Sequence, residues 1–196
     1  MTRRVVYGVG VWCTAAATAM TLAAIIMPRW VHLQSGLTGE ITVSYGLHKK
    51  CSSVTGTCEP FPTDQVCTND ETFCTMWRTV GFLMSFSVII ELATFIAYAV
   101  VIIGGVQHRS YGWKVVCSLL GSASLVQAAG MAIIAYVFDH DERFFPGWKL
   151  DVSWALCTAS WSVLALTGIG IGAATYALPD EGGYELIRGD DDDYGY

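Results

Sequence analysis

Charge is what this 196-residue chain has least of. Only 14% of its residues are Asp, Glu, Lys or Arg, where soluble domains carry about a quarter. With 53% apolar residues, such a chain cannot cover its own core with polar surface, so lipid is the expected solvent. Positive charge is scarcest: 11 Lys and Arg stand against 17 Asp and Glu, a net charge of −6. That balance excludes nucleic acid as an expected partner, because phosphates require a basic patch. Catalytic constellations are missing as well. His32 and His48 lie near the cysteine-rich segment, but no nucleophile, base and orienting group can be read together. Phosphate-binding glycine loops, metal-ligand spacings and paired carboxylates in an apolar setting are equally absent from the sequence. The expectation is a protein that is not an enzyme and has no cofactor. Asn69 is followed by Asp70 and Glu71, which is not a glycosylation sequon.

What the chain does have is long apolar runs. Four of them, at about 5–27, 80–105, 113–137 and 152–178, meet the length of about 20 residues that a spanning helix needs. Arg3 and Arg4 precede the first run, Pro28 stops it, and Pro179 follows the last. The first run exceeds the apolar core of a cleaved signal peptide, about 7–15 residues. A tight turn at 106–112 makes the second and third runs an antiparallel hairpin. Four spans then place the long connection 29–78 and the shorter connection 138–151 on one side, with both termini and the tight turn on the other.

Lys and Arg nearly balance across the two sides, so the positive-inside rule gives little guidance beyond Arg3 and Arg4, which favour a cytosolic N-terminus. Cysteines say more. Cys51, Cys58, Cys67 and Cys74 cluster in the long connection, which points to an oxidising compartment. The expectation is a plasma-membrane protein with both loops extracellular and both termini cytosolic. Trp30, Trp77, Trp148 and Trp154 would then mark the outer interface, and Tyr111 and Trp113 the inner one.

The long loop carries strand patterns. Ile41, Val43, Tyr45 and Leu47 alternate with Glu40, Thr42 and Ser44, as in a half-buried strand. Gly36 and Gly39 provide a turn before it, so 30–34 can form a preceding antiparallel strand, and 58–61 can pair next, ended by Pro62. Together they predict an all-α transmembrane four-helix bundle topped by a small extracellular antiparallel sheet. The four loop cysteines allow three connectivities. Nearest-neighbour closure would join Cys51 to Cys58 and Cys67 to Cys74. The rival is a zinc site, whose cysteines are usually two to four residues apart. Cys13, Cys117 and Cys157 fall in the helices, where a thiol acts as a small hydrophobe.

Trp30, then Gly46-Leu47-His48-Lys49-Lys50-Cys51, then Cys58 resemble the W…GLW-x-x-C…C signature of the claudin superfamily. That group includes claudins, peripheral-myelin-type proteins, channel gamma subunits and fungal tetraspans. The likeness covers the whole chain: four spans, a long first loop, a shorter second one, a tight inner turn, and Phe145-Pro146-Gly147-Trp148 leading into the last helix. The departures are His48 in place of the motif's second tryptophan, a slightly shorter Cys51–Cys58 spacing, and the additional Cys67 and Cys74. They suit a divergent, claudin-like member, of the fungal kind. The resemblance implies a left-handed bundle with an extracellular sheet, a Cys51–Cys58 disulfide, and Trp30, Gly46 and Leu47 as anchors of sheet to bundle.

Several residues carry readings of their own. Glu91, mid-helix, is costly in lipid and marks a functional candidate by default; the alternative is a carboxyl bonded inside the bundle, with Gln127 as its partner. Ala15, Ala19 and Ala23, and the G-x-x-x-G formed by Gly168 and Gly172, suit close helix packing within one subunit or between subunits. Acidic residues of both loops would favour cations if they lined a pore, and otherwise form a solvated face. Phe144 and Phe145 could insert into a partner or the membrane interface, or cap the bundle. The acidic tail 179–196, with its run Asp190 to Asp193 and aromatic end, is expected to be disordered and to offer a cytosolic scaffold an end resembling a PDZ ligand.

Three functional classes follow. The favoured one is a structural or adhesive tetraspan, self-associating in the bilayer in membrane organisation, cell adhesion or junction-type assembly. The second is an auxiliary subunit of another membrane protein: a channel, transporter or membrane enzyme. The third is a transporter or channel centred on Glu91, which ranks last because four helices leave little room for a path.

Overall fold

The computed structural model describes residues 2–35, 41–104 and 111–177. Gly36, Gly39, Glu40, most of the tight turn and the acidic tail with its PDZ-like end lie outside the described residues. Among the described residues the elements are α1 (Thr2–Ile26), β1 (Val31–Ser35), β2 (Ile41–Tyr45), β3 (Lys49–Ser52), β4 (Thr57–Pro60), α2 (Asp64–Asn69), α3 (Glu71–Ile103), α4 (Trp113–His140), β5 (Trp148–Leu150) and α5 (Val152–Ala177). Four of the helices, α1, α3, α4 and α5, are long and apolar enough to cross a membrane. They form a ring in which α1 and α4 each pack beside both α3 and α5.

The ring is apolar outside and encloses a set of polar side chains among its apolar core, the reverse of where a soluble bundle keeps its polar groups. Thr14, Thr21, Ser87, Glu91, Thr94, Ser124, Gln127 and Ser160 are buried, while Phe82, Ile89, Leu92, Ile96, Leu125, Leu166 and Ile169 are exposed. That inversion suits lipid, where apolar side chains gain nothing by hiding and polar ones must find each other. The inward positions follow alternate steps of three and four: Ser87, Glu91, Thr94, Tyr98 and Val101 on α3, and Val116, Leu120, Ala123, Gln127, Gly130, Ile134 and Val137 on α4. This is the spacing of a coiled-coil seam. On α1 the buried face is Tyr7, Gly10, Thr14, Ala17, Thr21 and Ala24. Ala15, Ala19 and Ala23 lie off that face, so they do not pack the interior of this bundle.

One end of the bundle carries a five-stranded antiparallel sheet in the order β4-β3-β2-β1-β5. The expected strands are present in slightly different form, and two were not foreseen. β3 forms a hairpin with β4, setting Cys51 opposite Cys58. β5, from the second loop, pairs with β1 and sets Val31 opposite Leu150. Both loops therefore belong to one sheet. The alternation in β2 is weaker than its sequence suggests: Ile41 is 46% exposed and the other four residues are half-buried. β2 ends at Tyr45, before Leu47, because Gly46 turns the chain and donates its N–H to the Lys49 carbonyl at 2.8 Å.

α3 begins nine residues before the apolar run expected at Val80. Asp70 caps it, accepting from the Phe73 N–H at 3.0 Å. At 33 residues it is about 50 Å long, well beyond a hydrocarbon core of about 30 Å. Hydropathy detects only the lipid-facing part; the first turns are polar and rise past it to carry the sheet. Cys74, Trp77 and Arg78 consequently belong to α3 and not to the preceding loop.

Gly46 tests how tightly sheet and bundle meet. A Cβ there would stand 2.5 Å from the Pro28 Cα, a backbone atom that cannot swing away. Gly46→Ala is expected to destabilise the protein by about 1–3 kcal/mol through overpacking, checked by unfolding in detergent. Gly56→Ala is a poor control because φ is +65° there; Gly8→Ala, which meets open space, is the better one.

Candidate functional site

The sheet-bearing end is held to the bundle by two tryptophans. Trp30, fully buried, leaves the end of α1 and folds back, and its Nε1–H donates to the Ala24 carbonyl at 2.7 Å. Trp77 on α3 donates to the Gly46 carbonyl at 3.2 Å. Each indole thus buries a large ring and satisfies its one donor. Leu47 is buried beside them in the same cluster. His48 is exposed at the same turn.

Above them Tyr45, Phe61, Phe73, Trp77, Phe138, Phe144 and Trp148 form one aromatic cluster, with ring centroids 4.8–6.5 Å apart. Phe144 is its hub, touching Tyr45, Phe73, Trp77, Phe138 and Trp148. The two loop phenylalanines therefore divide. Phe144 caps the bundle, whereas Phe145 is 55% exposed at the tip. Of the two, Phe145 is the exposed one.

Charge ties the second loop to the first. Arg143 bonds Asp70 at 3.1 Å and its guanidinium lies 4.2 Å from the Phe73 ring centroid. Asp70 so caps α3 and holds the loop at once. Arg29 bonds Asp151 at 3.0 Å. Part of the acidic set that reads as a solvated face is thus spent on internal ties. Sequence alone did not show the Asp70–Arg143 pair, which joins residues far apart in the chain; the adjacent Asp70-Glu71 was the available sign of a helix start. The two disulfides are Cys51–Cys58, across the β3–β4 hairpin, and Cys67–Cys74, from α2 to the first turn of α3. A pocket of about 290 Å³ lies between sheet and α2, lined by Tyr45, Lys50, Glu59, Phe61, Val66 and Arg143 among others.

A second polar site lies inside the bundle. Gln127 Nε2–H donates to Glu91 Oε1 at 2.6 Å and to Thr21 Oγ1 at 3.0 Å, with Ser87 Oγ at 3.4 Å. Thr21 and Ser160 hydroxyls are 2.7 Å apart, and Ser160 donates to the Ala17 carbonyl at 3.0 Å. The expected Glu91–Gln127 pair is present, and α1 and α5 complete it. Every spanning helix gives at least one side chain, all fully buried. Glu91 Oε2 and Gln127 Oε1 have no partner among the described residues. Thr21, Ser87 and Ser160 escaped the sequence reading, though their steps of three and four toward Glu91 and along α1 were a usable sign.

The G-x-x-x-G on α5 divides as the phenylalanines do. A Cβ at Gly168 would meet Leu120 at 3.5 Å on α4, so this glycine serves packing within the chain. A Cβ at Gly172 meets nothing within 4 Å. No family model matches this chain, and no curated protein matches it in sequence.

Proposed function

We propose that this chain is a non-enzymatic, claudin-like tetraspan of the plasma membrane that organises membrane contacts by self-assembly, using its sheet-bearing end as the extracellular contact surface. The observation that carries this reading is the free edge of a rigid sheet. All four residues of β4 are exposed at the sheet's end, and the exposed Phe145 rises from the same side of the bundle. On that edge the Cys58 N–H and the Cys58 and Pro60 carbonyls face away from β3, where they can pair with another chain. Two disulfides and the Asp70–Arg143 tie hold that surface in shape, which lowers the ordering cost of binding. The disulfides also support an oxidising, extracellular side for the sheet, with both termini in the cytosol. The polar site at Glu91 supports a structural role, since its atoms bond across all four spanning helices.

Blue-native electrophoresis of native membranes, disulfides intact, tests the reading. A ladder of self-complexes is expected, shortened by Phe145→Asp, which places a charge at the exposed tip of the second loop. A strictly monomeric protein at cellular density would sink it. The auxiliary-subunit reading draws on one specific feature, the stacked and exposed Phe82 and Phe86 on α3, 6.0 Å apart. A single stoichiometric complex with a larger membrane protein, in place of the ladder, would favour it.

A further inference from the structure

Toward the end of the bundle away from the sheet, α1 and α5 part to leave an apolar groove of about 530 Å³. Val9 and Cys13 form one wall, and Thr167, Gly170 and Ala174 part of the other. Beside it stands Trp12, 78% exposed on the outer face of α1. Its indole N–H has no hydrogen-bond partner among the described residues. Trp12 lies about 10 Å along α1 from Val5, where the apolar run begins, and so within a hydrocarbon core of about 30 Å. Tryptophan favours the membrane interface, where its N–H finds a partner. Within hydrocarbon that donor is left unpaired, at a real cost.

We infer that the α1–α5 groove is a homodimer contact in which Trp12 of each copy enters the groove of a second copy of this chain. The inference rests on the self-assembly reading above and names a surface for it that is separate from the sheet. Three features fit this occupant. A two-fold axis along the membrane normal keeps every residue at its own depth, so a knob and hole on the same chain must lie level. They do: the contacts of Gly10 with Ile171 and of Thr21 with Ser160 place Thr167 within one helical turn of Trp12 in depth. Knob and hole also adjoin, as an isologous pair requires, because Trp12 precedes the groove residue Cys13. The groove finally offers what the indole needs. Thr167 Oγ1 donates to the Val163 carbonyl at 2.7 Å, which leaves its oxygen lone pairs to accept a donor, and Gly170 supplies depth for a large ring.

The test is energy transfer between donor- and acceptor-labelled full-length protein in phosphatidylcholine vesicles, over a range of protein-to-lipid ratios. Trp12→Ala and Gly170→Leu are each expected to raise the apparent dimer dissociation constant tenfold or more, and Thr167→Val about threefold. Gly172→Leu, on the same helix but outside the groove, should match the wild type. These variants leave the bundle intact, since Trp12 faces outward and a Cβ at Gly170 or Gly172 meets open space; unchanged thermal unfolding confirms that. Wild-type dimerisation by both Trp12→Ala and Gly170→Leu would overturn the inference. If the native-membrane ladder persisted in those variants, the sheet reading would stand and the groove reading alone would fall. Co-purifying lipid lost only from Gly170→Leu would then assign the groove to an acyl chain. No energy transfer in the wild type, with no ladder, would remove both.

Discussion

Trp30→Ala is expected to destabilise the protein by about 3–5 kcal/mol, the range for deleting a fully buried large aromatic. Three effects combine at this position. The indole is wholly enclosed, so its removal leaves a cavity between α1 and the sheet. The Ala24 carbonyl loses the donor that it has at 2.7 Å. The junction also loses the packing that fixes its angle, because the ring fills the link between α1, which ends at Ile26, and β1, which begins at Val31; the backbone bond from the Trp30 N–H to the Tyr45 carbonyl at 2.8 Å is kept. Trp30→Phe retains most of the ring and loses only the side-chain bond, so it should cost about 1–2 kcal/mol, near the value of one buried hydrogen bond. Reversible unfolding in mixed micelles measures both. Equal losses for Ala and Phe would show that the bond matters and the packing does not, and would contradict the argument.

Gln127→Leu comes second, at about 2–3 kcal/mol, and its sign depends on Glu91. Gln127 is the donor that reaches Glu91, Thr21 and Ser87 together. Leucine leaves Glu91 in the bundle with the Thr21 hydroxyl at 3.3 Å but without the amide, and a buried polar group stripped of a partner costs about 1–3 kcal/mol, more if charged. The double variant Glu91→Leu/Gln127→Leu removes both sides of the contact. It is expected to be more stable than Gln127→Leu alone, because paired polar groups exchanged for apolar ones of like shape come out near neutral. A double variant weaker than the sum of the single ones would show that the site is not a simple pair. The same protein in liposomes addresses transport: Glu91→Gln should leave proton and ion flux unchanged if the site serves helix assembly.

The interior site and the sheet-bearing end differ in how legible they were. Glu91 and Gln127 stood out because a carboxylate and an amide in apolar runs are rare and must meet something. Their hydroxyl partners did not, because serine and threonine are common in spanning helices and can bond their own backbone, as Thr21 does to Ala17 at 3.1 Å. Phe144 and Phe145 are identical and adjacent in sequence, so no local pattern could divide them. The fold divides them through the turn from Asp141 to Phe144, closed by the Phe144 N–H bonding the Asp141 carbonyl at 3.0 Å.

The sequence by itself determined the number of helices that can cross a membrane, their approximate limits, the presence of a small antiparallel sheet between the first two, and the isolation of Glu91 in an apolar run. Each of these rests on a local quantity: run length against bilayer thickness, strand alternation, or one costly group. Tertiary structure alone decided that α3 starts at Glu71 and lifts the sheet, that β5 of the second loop extends that sheet beside β1, that Arg143 reaches Asp70, and that Gly168 faces inward while Gly170 opens the groove. The first three lie beyond the apolar runs and depend on contacts between residues far apart in the chain; the last depends on which helix face is covered. In lipid, apolar side chains are equally at home on every face of a helix, so hydropathy does not say which face is covered. The facing is set by the few polar and glycine contacts made between helices, and those contacts join residues far apart in the chain.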